Sequence, residues 1–281
     1  MNRLGSFIYK YIKVEKEKSK MFYLFIILLV TFNFSYYISF IRNTNGFVVN
    51  WYDLIIGILS MYMNSAYFYF FIFLLYIWNI NSKKAFYKYE FIRFEDRVEW
   101  YRYNVLNILS NSVKITIIIV VQTFLEGVAT LSFSNEWSEY SKHILSSKRI
   151  SYLYEPSTLR YIMDIMTPFK YTIISIFFMI SFFFVIGLIY LVFSLIFENR
   201  VFSFISTFIL NCLNIVGYVC EVSGIKRWSF YYNLSVITSY EECLSNYIIY
   251  NRMLYWFILA LVLIFIGRLI TKRVDFVFKE D

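Results

Sequence analysis

The chain has 281 residues, 59% hydrophobic and 23% aromatic but only 16% charged, where soluble domains run at roughly 45–50% apolar and about 25% charged. That balance argues against a soluble globular enzyme, and against a disordered chain, which joins low hydrophobicity to high charge. The formal net charge of +8 comes from Lys and Arg placed beside apolar runs, where membrane topology accounts for them without a nucleic-acid partner.

Residues 1–20 hold Leu4, Phe7, Ile8, Tyr11 and Ile12 at the spacing of one helical face, with Arg3, Lys10 and Lys13 beside it. This predicts an amphipathic elbow helix lying on an anionic inner leaflet; the other reading is a frayed tail. The first apolar run is too long for a signal-peptide core and lacks a small-residue cleavage site, so no cleavable signal is expected. Spanning helices of about 20 residues are predicted at 21–41, 54–80, 115–133, 171–197, 201–220 and 253–270. The fourth and fifth are parted only by Glu198, Asn199 and Arg200, which reads as a tight hairpin. Between the fifth and sixth, Tyr240, Cys243, Leu244, Tyr247 and Ile248 repeat the helical spacing behind an aromatic cluster. They predict a re-entrant hairpin dipping into the outer leaflet. With the N-terminus inside, the inner segments hold 17 basic residues and the outer ones 9, so both termini are expected in the cytoplasm. The expected fold is thus an all-α membrane protein, a single domain of six spans.

The segment 81–109 carries six basic and four acidic residues with aromatics between them. A topogenic loop needs only Lys and Arg. Carboxylates and aromatics beside them suit a protein contact, in which charge pairs set register and aromatics anchor; an inner-leaflet anchoring loop is the alternative. The run Phe91-Ile92-Arg93-Phe94-Glu95-Asp96-Arg97-Val98-Glu99-Trp100 resembles the cytoplasmic loop of Gram-positive ABC-2-type transporter permeases, including exporters of amphipathic peptide toxins and antimicrobial peptides. The plan of elbow, six spans, loop after span two and outer hairpin before span six is similar as well. The resemblance implies a coupling helix in which Arg93, Glu95, Asp96, Arg97, Glu99 and Trp100 dock on a separate ATPase subunit. It also implies a second copy or a related permease alongside, and a cargo that is an amphipathic peptide or lipid-like molecule. None of the eight glycines precedes a Lys, so the chain has no P-loop; it is expected not to be an enzyme, with ATP and magnesium held by the partner.

Three further features carry chemistry. Glu126 interrupts the third span; an intramembrane carboxylate is a functional candidate by default, and it either lines the path or reaches the headgroups as a structural group. In span five, Ser203, Thr207, Asn211 and Asn214 form one polar stripe, which is either interhelical glue or a substrate-facing surface. Three cysteines and one histidine, with no CxxC and no HExxH, give no expected metal site or catalytic centre. A Cys220–Cys243 disulfide competes with the ordinary use of Cys as a small apolar residue. The rival function is a non-transporting immunity or assembly protein that acts by binding a partner.

Overall fold

The computed structural model describes residues 25–44, 46–60, 64–78, 97–146, 162–197, 199–220, 224, 226–236 and 248–273. The elbow residues Leu4, Phe7, Ile8, Tyr11 and Ile12, the loop residues Arg93, Glu95 and Asp96, and most of the expected re-entrant hairpin lie outside them. The described regular structure is helical, with one isolated parallel bridge between Asn50 and Ser132. We label the helices α1 (Phe25–Asn43), α2 (Trp51–Ser60), α3 (Phe70–Ile77), α4 (Arg97–Gly127), α5 (Glu139–Ser146), α6 (Pro168–Phe197), α7 (Arg200–Val219), α8 (Phe230–Leu234) and α9 (Ile248–Arg273).

Five of these, α1, α4, α6, α7 and α9, are long and apolar enough to cross a membrane, and α2 with α3 makes a sixth if the bent pair is one span. The molecule has two ends, here called the Arg97 end and the Asn50 end. Helix α6 is the hub. It is apolar on every side, the pattern of a helix surrounded by others, and 67% of its membrane-length window is buried. It packs against α2, α3, α4, α7, α8 and α9. Helix α9 has a comparable mean hydropathy of 2.4, yet only 11% of its window is buried. Hydropathy does not separate the two situations, because lipid tails are as apolar as a protein core.

Helix α4 shows the same inversion within one element. Leu106, Leu109, Ile117, Val121, Phe124 and Leu125 are exposed, while Asn104, Asn111, Ser112, Thr116, Gln122 and Thr123 are buried. Apolar outside and polar inside is the arrangement expected of a helix bathed in lipid. Several buried groups are satisfied within the helix: Ser112 and Thr116 donate to the carbonyls of Ile108 and Ser112 at 2.8 and 2.9 Å, and Asn104 donates to that of Trp100 at 3.0 Å.

Two expectations are revised. The second span is not one helix. A π-helical segment, Asn64–Tyr69, precedes α3, and Trp51–Leu59 and Asn64–Ile77 lie at 57° to one another. Within the π-helical segment, Asn211 of α7 donates to the Ala66 carbonyl at 3.0 Å, which ties that segment to α7. The expected boundary between a loop helix and the third span at 115 is also missing. From Arg97 onward the loop and the span are one continuous helix of 31 residues, about 46 Å at 1.5 Å per residue. That exceeds a hydrocarbon core of about 30 Å, so α4 tilts or extends beyond it.

Between α6 and α7, Asn199 caps the new helix by accepting from the Val201 N–H at 2.9 Å, which makes the short hairpin. At the Asn50 end, Gly46 turns the chain at φ 84°, in the left-handed region glycine favours. Asn50 then opens α2 with a capping box: its N–H donates to Asp53 Oδ2 at 2.9 Å and its side chain accepts from the Tyr52 N–H at 3.4 Å. Ser141 of α5 donates to the other oxygen of Asp53, tying the surface helix to the bundle.

Candidate functional site

The chemistry-bearing residues fall at three places along the bundle. The first is the Arg97 end. Arg97 opens α4 half-buried, Glu99 is exposed, and Trp100 is only 1% exposed. Trp100 sits in a satellite core with Tyr101, Ile108, Leu191 and Leu195. Tyr101 donates to the Ile264 carbonyl of α9 at 3.2 Å, and a Cβ at Gly267 would overlap that tyrosine's hydroxyl. A Cβ at Gly187 would overlap a methyl of Ile108 in the same way, so α4 lies close against both α6 and α9 here. The sequence reading of Trp100 as a surface anchor is therefore corrected: its ring is spent on holding α4 to the hub. Arg97 and Glu99 remain at the surface, and they are the only members of the expected docking set within the described residues apart from Trp100.

The second place is a buried hydrogen-bond chain near the opposite end of α4. Tyr69, from the π segment, donates to Asn33 Oδ1 at 2.6 Å. Asn33 Nδ2 of α1 donates to Gln122 Oε1 at 3.0 Å. Gln122 Nε2 in turn donates to Glu126 Oε1 at 2.7 Å and to the Val30 carbonyl at 3.1 Å. The donors run in one direction, toward the carboxylate. Glu126 Oε2 is buried and receives no hydrogen bond. Nearby, Tyr37 and Thr130 share a hydrogen bond of 2.6 Å, which closes α1 on the turn after α4. Sequence reading found Glu126 but missed its partners. The signal was available in Gln122, four residues before Glu126 and so on the same helical face; Asn33 and Tyr69 are joined to it only by the tertiary fold.

The third place is the polar stripe of α7. Ser203, Thr207 and Asn211 are buried. Ser203 and Thr207 spend their hydroxyls within the chain's own turn, on the carbonyls of Asn199 and Ser203 at 2.7 and 2.8 Å. Asn211 reaches outward: besides Ala66 it accepts from the hydroxyl of buried Tyr231 on α8. Asn214 accepts from the Phe230 N–H at 3.1 Å, and its carbonyl accepts from Ser229 Oγ at 3.1 Å. The two asparagines thus hold the 226–236 segment against α7. From the other side α9 holds it too: Tyr255 donates to the Trp228 carbonyl at 2.8 Å, Trp256 to the Asn233 carbonyl at 3.0 Å, and Arg252 to the Ser235 carbonyl. The Arg252 guanidinium also stands over the Tyr232 ring at 5.0 Å, a cation–π distance. The described part of the expected outer hairpin is therefore a short, pinned helix.

Cys212 and Cys220 carry free thiols, and Cys243 lies outside the described residues. Among the described residues no group of His, Cys, Asp and Glu is placed to hold a metal ion.

These helices define a helical protein of membrane-spanning character with polar groups turned into its bundle. No family model matches the chain, and no solved structure matches it. It is similar to an uncharacterized protein of Halalkalibacterium halodurans, 23% identical over 186 residues, which are 66% of this chain and 64% of that protein. The chain thus spans less than two thirds of the length of the curated relative it matches.

Proposed function

We propose that the chain is the permease subunit of an ATP-driven exporter of the ABC-2 type, residing in a bacterial cytoplasmic membrane with both termini in the cytoplasm. A separate ATPase subunit, holding ATP and magnesium, supplies the energy, and a second copy or a related permease completes the transmembrane unit. The cargo is amphipathic or hydrophobic, with a peptide toxin or antimicrobial peptide as the leading class.

The observation that carries this reading is helix α4. It joins the surface residues Arg97 and Glu99 to Glu126, about 44 Å away at 1.5 Å per residue. Its Arg97 end is fastened to α6 and α9 through Trp100, Tyr101 and Ile108. A push on the Arg97 end is delivered to the bundle as the displacement of a stiff rod. In this account the mixed-charge segment before α4 is the grip, α4 is the lever, and the polar chain at Tyr69, Asn33, Gln122 and Glu126 is what the lever moves.

The test is purification of the tagged chain from its native membrane with measurement of the ATP hydrolysis that accompanies it. The reading expects magnesium-dependent hydrolysis to co-purify, and Arg97→Glu to reduce it sharply while the chain still folds. A chain that purifies without any ATPase, under conditions that keep it monodisperse, contradicts the proposal.

A further inference from the structure

The carboxylate of Glu126 has a hydrogen-bond deficit of a particular shape. Gln122 gives one N–H to Glu126 Oε1 and its other to the Val30 carbonyl. Asn33 donates to Gln122, and Tyr69 donates to Asn33. None of these donors reaches Oε2, which is buried without a hydrogen bond. Among the described residues no basic side chain is shown paired with Glu126, and its hydrogen-bond partner is Gln122.

A carboxylate has about four acceptor positions, and an uncompensated charge among apolar helices is costly. A proton on Oε2 would remove the charge but leave an O–H donor still in need of an acceptor. A water molecule would supply a donor but leave the charge. An alkali cation needs several oxygen ligands, and the amide oxygens of Asn33 and Gln122 are already accepting. A positively charged group with several N–H donors and no acceptor supplies both the missing donor and the compensating charge, and a primary ammonium is the most compact group of that kind.

We propose that Glu126 anchors a binding site for a primary ammonium group carried on an apolar or amphipathic molecule. The residue is itself half-buried, beside Leu125, which is 64% exposed, so an amine can approach from the lipid-facing flank with its apolar tail in the membrane. The site stands on this geometry alone. Only the source of the ammonium, a lysine or N-terminus of exported peptide rather than a lipid headgroup, rests on the transport reading.

The experiment uses the full chain in detergent and three probes of equal tail length: hexylammonium, hexyltrimethylammonium and hexanol. Binding is followed by tryptophan fluorescence, since Trp51 packs on Gly127 beside Glu126. Hexylammonium should bind about tenfold more tightly than either of the others, the worth of one charge-assisted hydrogen bond, and Glu126→Gln should remove the preference. Equal binding of the three probes to the unaltered chain overturns the proposal, whether or not the variant folds. So does a preference that survives in folded Glu126→Gln. A lysine-bearing amphipathic peptide is then compared with its acetylated form, and nanodiscs of phosphatidylethanolamine with those of phosphatidylcholine. A response to the first pair alone gives a peptide source, and a response to the second alone gives a lipid source. Because no ATPase is present, failure here leaves the co-purification result untouched, and the reverse holds as well.

Discussion

Replacing Trp100 by Ala separates two roles that the residue could have at the Arg97 end. The ring is 1% exposed and packs with Tyr101, Ile108, Leu191 and Leu195. Truncating a fully buried Trp costs about 3–5 kcal/mol through lost burial and the cavity left behind. At about 2–4 °C per kcal/mol for a chain of this size range, the expected fall in melting temperature is roughly 6–20 °C. The assay is thermal unfolding in detergent, followed by loss of monodisperse protein, beside the same measurement on Arg97→Glu. The arginine is half-buried at the helix start, and its variant should melt closer to the unaltered chain than Trp100→Ala does. A Trp100→Ala protein that melts as the unaltered chain does, yet loses its ATPase, would refute the packing argument and restore Trp100 as a docking anchor.

Other expectations follow from the same geometry. Gly187→Ala should destabilise by about 1–3 kcal/mol through overpacking, and Ile108→Ala in the same chain should relieve part of that loss, since the new Cβ overlaps the Ile108 methyl; denaturant midpoints of the two single variants and the double variant decide it. Asn211→Leu and Tyr231→Phe remove the two sides of one buried contact, so a double-mutant cycle should show coupling of about 0.6–1.7 kcal/mol, the range of polar contacts inside membrane bundles; strictly additive effects would contradict the contact. Burial, with the Asp53 charge behind it, holds the Tyr140 hydroxyl un-ionised above its ordinary range. The unfolded chain ionises first, near pH 10, so this group's stabilisation is complete below that pH and lost as pH rises further; Tyr140→Phe should flatten the alkaline fall in stability.

The parts of the fold that were legible in the sequence are those set by local pattern. Helix α6 follows from 27 uncharged residues, Tyr171–Phe197, and its central place from being apolar on every side. The hairpin into α7 follows from Asn199, a good N-cap residue standing between two apolar runs. The contact of Asn211 with the Ala66 carbonyl, 145 residues apart in sequence, was illegible because only the tertiary fold brings α7 to the π-helical segment. Trp100 misled for a related reason. Aromatics among charges have the composition of an interface, and only the placement of Leu191 and Leu195 opposite shows the ring facing inward. Of the polar groups, Glu126 stood out because a carboxylate is rare in such a run. Asn33 and Tyr69 did not, since single amides and tyrosines are common in membrane helices and only the fold brings these to Gln122.

The central claim is that work done at the Arg97 end of α4 moves cargo across the bundle. It is tested most directly by reconstituting the chain with its co-purifying ATPase in liposomes and following a fluorescent amphipathic peptide. The account predicts movement that requires ATP and is lost in Arg97→Glu, while that variant still assembles into the membrane. Peptide movement that proceeds without ATP, or that Arg97→Glu leaves unchanged, would contradict it.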